Sequence, residues 1–107
     1  MQFTARTQPR RQGFDRNRLP DPLIYYATEL DAMRASEHCR GQSATARCPF
    51  HDDRHPSLLV NLDTGAFRCR VPACGAYGRD VLAFHMARYG LPFAVAAKAL
   101  GAWRTRT

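Results

Sequence analysis

Two short pairs of metal-binding side chains constrain this chain more than anything else in it. They are Cys48-Pro49-Phe50-His51 and Cys69-Arg70-Val71-Pro72-Ala73-Cys74. Cys69 follows His51 by 18 residues, so each pair has room for a turn of its own. Thiolate and imidazole are the ligands zinc favours, at about 2.3 and 2.0 Å, and a structural zinc closes four of them into a tetrahedron. Two knuckles at strand ends, locked by one metal, are the expected arrangement. A chain of 107 residues is one domain, and a domain this small often needs a staple. The N-terminal stretch MQFTARTQPRRQGF is basic, with no apolar segment after it, so no secretory signal is read there and a cytoplasmic location is expected. Four cysteines in such a chain fit metal better than disulfides. No run of about 18 apolar residues is present, so no membrane span is expected.

The expected ligand set is Cys48, His51, Cys69 and Cys74, holding one Zn²⁺. The other candidates are weaker. Cys39 has no partner at short spacing and reads as a thiol outside the site, with His38 exposed beside it. His55 precedes Pro56 in a loop, and His85 lies in an apolar helical stripe where a hydrogen-bonded core histidine is the commoner finding. Asp52-Asp53 would suit a divalent cation, but both lie in the turn after a zinc ligand and read as loop residues. With all four zinc positions taken by protein, no coordination site remains for hydrolysis, and no enzyme is expected.

The predicted fold class is α+β. It is a small zinc-ribbon-like antiparallel sheet of about three strands, with one N-terminal and two C-terminal helices. Residues 1–19 carry Arg6, Arg10, Arg11, Arg16 and Arg18 without apolar periodicity and read as a disordered basic arm. The domain proper is predicted over 20–103, with 104–107 a tail. Asp21-Pro22 opens a helix through Leu23, Tyr26, Ala27, Leu30 and Met33 that fades near Ser36 to Gly41. Strands are predicted over Ala44–Arg47, Leu58–Leu62 and Ala66–Arg70, the last two joined by Asp63-Thr64-Gly65 as a tight connection. A second helix is capped by Asp80, carries Val81, Leu82, His85, Met86 and Tyr89 as its stripe, and stops at Gly90. A third follows Leu91-Pro92 and stops at Gly101, with Trp103 folding back.

The formal net charge is +7, and Lys98 is the one lysine among sixteen basic residues. Codon bias explains arginine over lysine as well as function does, but the excess charge itself points to an anionic partner. On the third strand Phe67 and Cys69 face one way and Arg68 and Arg70 the other. Arg68 and Arg70, with Tyr77 in a Gly-flanked turn, are the candidate nucleic-acid contacts. Arg6, Arg10, Arg11, Arg16 and Arg18 would add phosphate contacts. Phe67 itself reads as hairpin core. Two partner classes stay open: single-stranded DNA or another nucleic acid, and a larger replication or nucleoprotein complex on which the ribbon would dock.

Arg47-Cys48-Pro49-Phe50-His51, with Pro56-Ser57 beyond it, resembles the start of the zinc-binding domain of bacterial and phage DnaG-type DNA primases. Phe67-Arg68-Cys69, Cys74-Gly75-Ala76-Tyr77-Gly78-Arg79-Asp80-Val81 and the segment Phe93 to Leu100 are similar to that family's second knuckle, the helix after it and its closing helix. The likeness covers residues 44–101. It extends to the small stand-alone forms of the domain that plasmids, phages and integrative elements carry. The resemblance implies the same zinc ligands and a role in template and start-site selection, nucleotide condensation belonging to a separate catalytic domain. Two departures stand out. Four residues separate Cys69 from Cys74 where the family has two, with Pro72 where a cysteine is expected. Arg70 replaces the aromatic residue common after the third ligand, so a guanidinium plane would stack where a ring does.

Overall fold

The computed structural model describes residues 13–35, 42–52 and 54–104. Helix α1, Pro22–Glu29, starts where Asp21-Pro22 predicts. Proline's fixed φ suits the first helical position, where a missing N–H costs nothing. The helix is shorter than its apolar pattern predicts, and its packed face keeps Tyr26 and Leu30 of that pattern but adds Tyr25 and leaves out Leu23. Tyr25, Tyr26 and Leu30 are buried, while Leu23 is 47% and Ile24 65% exposed. The cause is tertiary. The Tyr26 hydroxyl donates to the Gly65 carbonyl, and the Tyr25 hydroxyl lies 2.8 Å from His85 Nδ1. Two adjacent anchored tyrosines turn the helix toward themselves. Leu30 is already extended, Ala32 takes a φ of 58°, and the chain enters strand β1, Arg34–Ala35, where the end of a helix was expected.

Strands β2 (Ser43–Ala46), β3 (Leu58–Asn61), β4 (Phe67–Cys69) and β5 (Tyr77–Gly78) follow. With β1 they make a five-stranded sheet in sequence order, every neighbour antiparallel. The three predicted strands are its centre. The two added edges are two residues long, too short to leave a period in the sequence. Alternation holds across the centre. Ala44, Ala46, Leu58, Val60, Phe67 and Cys69 are buried on the inner face, and Arg68 and Tyr77 are exposed on the outer one. Between β3 and β4, Asn61 Oδ1 accepts from the amides of Asp63 and Thr64 at 2.8 and 2.9 Å. Gly65 closes this turn with a φ of 88°, a conformation side chains disfavour.

Helix α2, Val81–Tyr89, begins on Asp80, whose Oδ1 accepts from the Ala83 amide at 2.8 Å, and ends at Gly90. Helix α3 is Phe93–Ala99. Both match the sequence reading in place. The buried face of α2 matches in part, with Val81 and Leu82 buried as predicted. It centres on Phe84, fully buried, which the predicted stripe omits, while Tyr89 is 48% exposed. Phe84 stands edge-on to Tyr25, Tyr26, Phe50 and Phe67 with centroids 5.1 to 5.8 Å apart. This ring cluster fills the space between the inner sheet face and the helices.

A second core forms around Leu82, Ala96 and Ala97, with Phe14, Phe93 and Trp103 packed on it. Trp103 folds back as expected and pairs with Phe14 in a β-bridge. The Asp15 amide donates to the Ala102 carbonyl at 2.9 Å, and the Arg104 amide to Gly13. Arg16–Arg18 forms one turn of 3-10 helix. Residues 13–19 were expected in a disordered arm; they belong to the fold, because Phe14 has an apolar site to fill and Asp15 a backbone partner. Arg104 likewise belongs to the fold and not to a tail. The remainder of the expected arm and tail, 1–12 and 105–107, lies outside the described residues. Among the described residues no helix is long and apolar enough to cross a membrane.

Candidate metal centre and nucleic-acid interface

Cys48 leaves the end of β2 and Cys69 ends β4, both buried, while His51 and Cys74 come from the two turns beyond them. Register accounts for the meeting. Ala46 pairs with Leu58 and Leu58 with Cys69, so the metal ends of three strands coincide. The four ligand atoms all lie within 4.8 Å of one another. Cys48 Sγ and Cys74 Sγ are 3.8 Å apart, and Cys69 Sγ is 3.4 Å from His51 Nε2. A zinc tetrahedron with the usual bond lengths has edges of about 3.8 Å between sulfurs and ~3.5 Å from sulfur to nitrogen. The donors fit one Zn²⁺. His51 Nδ1 lies 3.0 Å from the Asp52 carbonyl, so Nδ1–H donates there and Nε2 is left to face the metal.

The thiols are unequal. Burial pushes the Cys48 thiol up, to about 12, against the help of the Phe50 amide. Burial also raises Cys69, but the Ser57 hydroxyl, the Val71 amide and His51 outweigh it and hold the thiol at about 7. Ser57 Oγ is 3.4 Å and Val71 N 3.5 Å from that sulfur. Three thiolates this close repel one another, and a divalent cation is what stabilises them together. The wide second knuckle closes on one acceptor: the amides of Cys74 and Gly75 both donate to the Val71 carbonyl at 3.0 Å. Cys39 and His38 lie outside the described residues. His55 is exposed, and His85 is held by Tyr25 as a core histidine.

The outer sheet face carries a row set by register. Arg34 pairs with Thr45, Thr45 with Leu59, Leu59 with Arg68, and Arg68 with Tyr77. Tyr77 is 78% exposed. Arg70 is exposed just beyond β4, where its amide donates to the Ser57 carbonyl, and Arg47 is exposed just beyond β2. The strands of this sheet contain no acidic residue. Among the described residues the ion pairs involve Arg16, Arg18 and Arg104, and none of these four arginines. Arg34 was missed because its segment read as helix; extended alternation through Met33-Arg34-Ala35 was the available signal. Arg16 is 2.8 Å from Asp80, and Arg18 lies near Asp15 and the Trp103 carbonyl, both away from the sheet row. Arg6, Arg10 and Arg11 lie outside the described residues.

Comparison with known proteins bears on the same residues. The model of the CHC2 zinc finger family matches residues 33–105. The chain is 33% identical over 75 residues to a DNA primase of Chlamydia pneumoniae, covering 68% of this chain and 12% of that protein. It is 38% identical over 63 residues to a DNA primase of Geobacillus stearothermophilus, covering 59% and 10%. A DNA primase of Mycoplasma genitalium is 40% identical over 42 residues, covering 39% and 7%. The matches thus span only about a tenth of the length of these relatives. Four ligand atoms within 4.8 Å of one another, carried by the strand ends and turns that the family model spans, leave one conclusion: the chain belongs to the CHC2 zinc finger family and holds one zinc ion.

Proposed function

We infer that the chain binds single-stranded DNA on the outer face of its sheet and acts as a non-catalytic accessory factor in replication or priming of a mobile element. One observation carries this reading: Arg34, Arg68 and Tyr77 stand in register across the sheet, with Arg70 exposed just beyond β4 and no acid among the strands. Guanidinium forks match phosphate, and an exposed ring is a stacking platform for a base of any identity. Neighbouring strands are about 4.8 Å apart, so the row spans roughly 19 Å, enough for a few nucleotides of single strand. A duplex reader would carry its arginines on a helix, and α2 and α3 hold only Arg88 and Lys98. The zinc is held by four protein ligands, which favours a structural over a catalytic metal. Replication places the chain in the cytoplasm. The mobile-element setting rests on the resemblance to stand-alone forms, and the neighbouring genes test it.

The binding test is fluorescence anisotropy with labelled single-stranded oligonucleotides at several salt concentrations. The wild type is expected to bind at low salt and weaken steeply as salt rises. Arg68→Ala combined with Arg70→Ala is expected to weaken binding at least tenfold with zinc content unchanged, and Tyr77→Ala to cost ~1–3 kcal/mol if it stacks one base. No binding at low salt would give the lead to a second reading, docking on a larger nucleoprotein complex. One observation favours that reading: Leu23 and Ile24 stand exposed side by side on α1.

A further inference from the structure

The helical layer carries a hollow of about 280 Å³, with Leu82, Ala83, Met86 and Phe93 as its floor and Arg16 and Arg79 at its rim. Leu82 is buried and the other three floor residues are half-buried. Small-molecule sites usually measure ~300–1,000 Å³. This hollow falls just below that range, so it suits one apolar side chain better than a whole cofactor. Met86 fits such a role, because an unbranched thioether repacks around what enters. The rim has one sign. Asp80 also lines the hollow, but both its oxygens are engaged, Oδ1 by the Ala83 amide and Oδ2 by Arg16, each at 2.8 Å. That pair and the Phe14 ring, 5.6 Å from the guanidinium carbon, hold Arg16 in place. Its side chain is still 59% exposed and has further N–H groups to donate. Arg79 is exposed, and among the described residues it has no ion pair.

We propose that this hollow docks an acidic peptide segment of a partner protein, one aromatic or large aliphatic side chain seated on Met86 and Phe93 and flanking carboxylates on Arg79 and Arg16. Charge complementarity decides the occupant. Two guanidinium groups face outward over an apolar floor, and the one acid between them is already neutralised. Carboxylate is the group a guanidinium fork matches. A nucleic-acid base would bring a polar edge to a floor with no strong hydrogen-bonding side chain and leave that edge unpaired. A phenylalanine or leucine leaves nothing unpaired. The hollow and the sheet face can be filled together. Helix α2 packs Phe84 against Phe67 on the inner side of the sheet, while Arg68 and Tyr77 are exposed on the outer side. Docking here is also separate from the Leu23 and Ile24 surface of α1, and it does not depend on the sheet face binding DNA.

The probe is a fluorescein-labelled synthetic peptide with one phenylalanine between aspartates in a glycine-serine background. It is titrated with the zinc-loaded full chain, beside two controls in which serine replaces the phenylalanine or asparagines replace the aspartates. The probe is expected to bind about tenfold or more tighter than either control, since each lacks part of the anchor. Arg79→Glu is expected to bring the probe down to the level of the controls, with zinc content and melting temperature unchanged. Arg68→Ala combined with Arg70→Ala is expected to leave probe binding as it is. A second measurement needs no variant in the hollow. With carbon-13 in the methionine methyl groups, the Met86 signal is expected to shift on adding the probe and the Met33 signal to stay. Equal binding of the probe and the serine control would be attraction to a basic chain alone, and overturns the site. An unmoved Met86 signal at saturating probe, full binding by Arg79→Glu, or no binding of the probe also overturns it. An oligothymidylate that displaces the probe and itself shifts the Met86 signal would assign the hollow to nucleic acid and overturn peptide docking.

Discussion

Cys74 reaches the metal because Val71 closes the loop behind it. Its carbonyl takes the amides of both Cys74 and Gly75, and Gly75 adopts a φ of 63°, so a four-residue spacer is folded back to the length of a knuckle. Pro72 and Ala73 are carried outward, exposed. Cys74 is therefore a full ligand, and its loss should match the loss of the others. Structural zinc in such modules is worth on the order of 10 kcal/mol of folding free energy. Cys48→Ser, His51→Ala, Cys69→Ser and Cys74→Ser are each expected to lose zinc and the cooperative thermal transition, and Cys39→Ser to retain both. Elemental analysis of chelator-washed protein is expected to find one zinc per wild-type chain. Zinc retained in Cys74→Ser, or lost in Cys39→Ser, would identify a different fourth ligand. The four ligands were legible in the sequence because metal chemistry restricts residue type and spacing at once. The outer-face row was legible only in part: Arg68 follows from alternation on β4, but its register against Tyr77 and Arg34 depends on two edge strands of two residues each.

Strand β5 shows how a short element is specified by packing instead of pattern. Gly78 pairs with Phe67, and a Cβ there would lie 2.5 Å from the Phe67 ring and 2.9 Å from Ala83 Cβ. Both neighbours are in the core layer, so neither can move aside without disturbing Phe84. Gly78→Ala is expected to cost ~1–3 kcal/mol through overpacking, read as a lower urea midpoint at unchanged zinc content. At the other end of α2's first turn, Asp80 caps the helix through Oδ1 and pairs with Arg16 through Oδ2. Asp80→Ala is expected to cost about 1–2 kcal/mol, mostly as the lost cap, since Arg16 is largely exposed. The reach of α2 was readable because Asp80 and Gly90 are local signals. The end of α1 was not. Its periodicity continues through Leu30 and Met33, and only the tertiary anchors of Tyr25 and Tyr26, with pairing of Arg34 to Thr45, turn that stretch into a strand.

At the scale of the whole molecule, the first and last described residues close on each other. Phe14 meets Trp103 and stands edge-on to Phe93 at 5.1 Å, Asp15 takes the Ala102 carbonyl through its amide, and Arg104 returns to Gly13. This clasp covers the second core, which zinc does not reach. The basic N-terminal region therefore has two parts with different physics. Arg6, Arg10 and Arg11 precede the clasp, while Arg16 and Arg18 are built into it. Two truncations separate them. Removing residues 1–12 takes three arginines and leaves the clasp whole. Stability is expected to be unchanged. If all three neutralise phosphates, the slope of log affinity against log salt on single-stranded DNA should fall by about 2. Removing residues 1–19 also exposes Trp103 and the Ala96–Ala97 surface and unpairs Asp80. It is expected to lower the melting temperature by several degrees while the zinc content stays at one. Phe14 is only partly buried, so its ring is worth roughly 1–1.5 kcal/mol when that burial is lost, and a small domain moves about 4–8 °C per kcal/mol. Equal melting temperatures for the two truncations would mean that the clasp adds nothing to stability. An unchanged salt slope in the shorter truncation would confine the electrostatics of binding to residues beyond the first twelve, with Arg34, Arg68 and Arg70 of the sheet face as the first candidates.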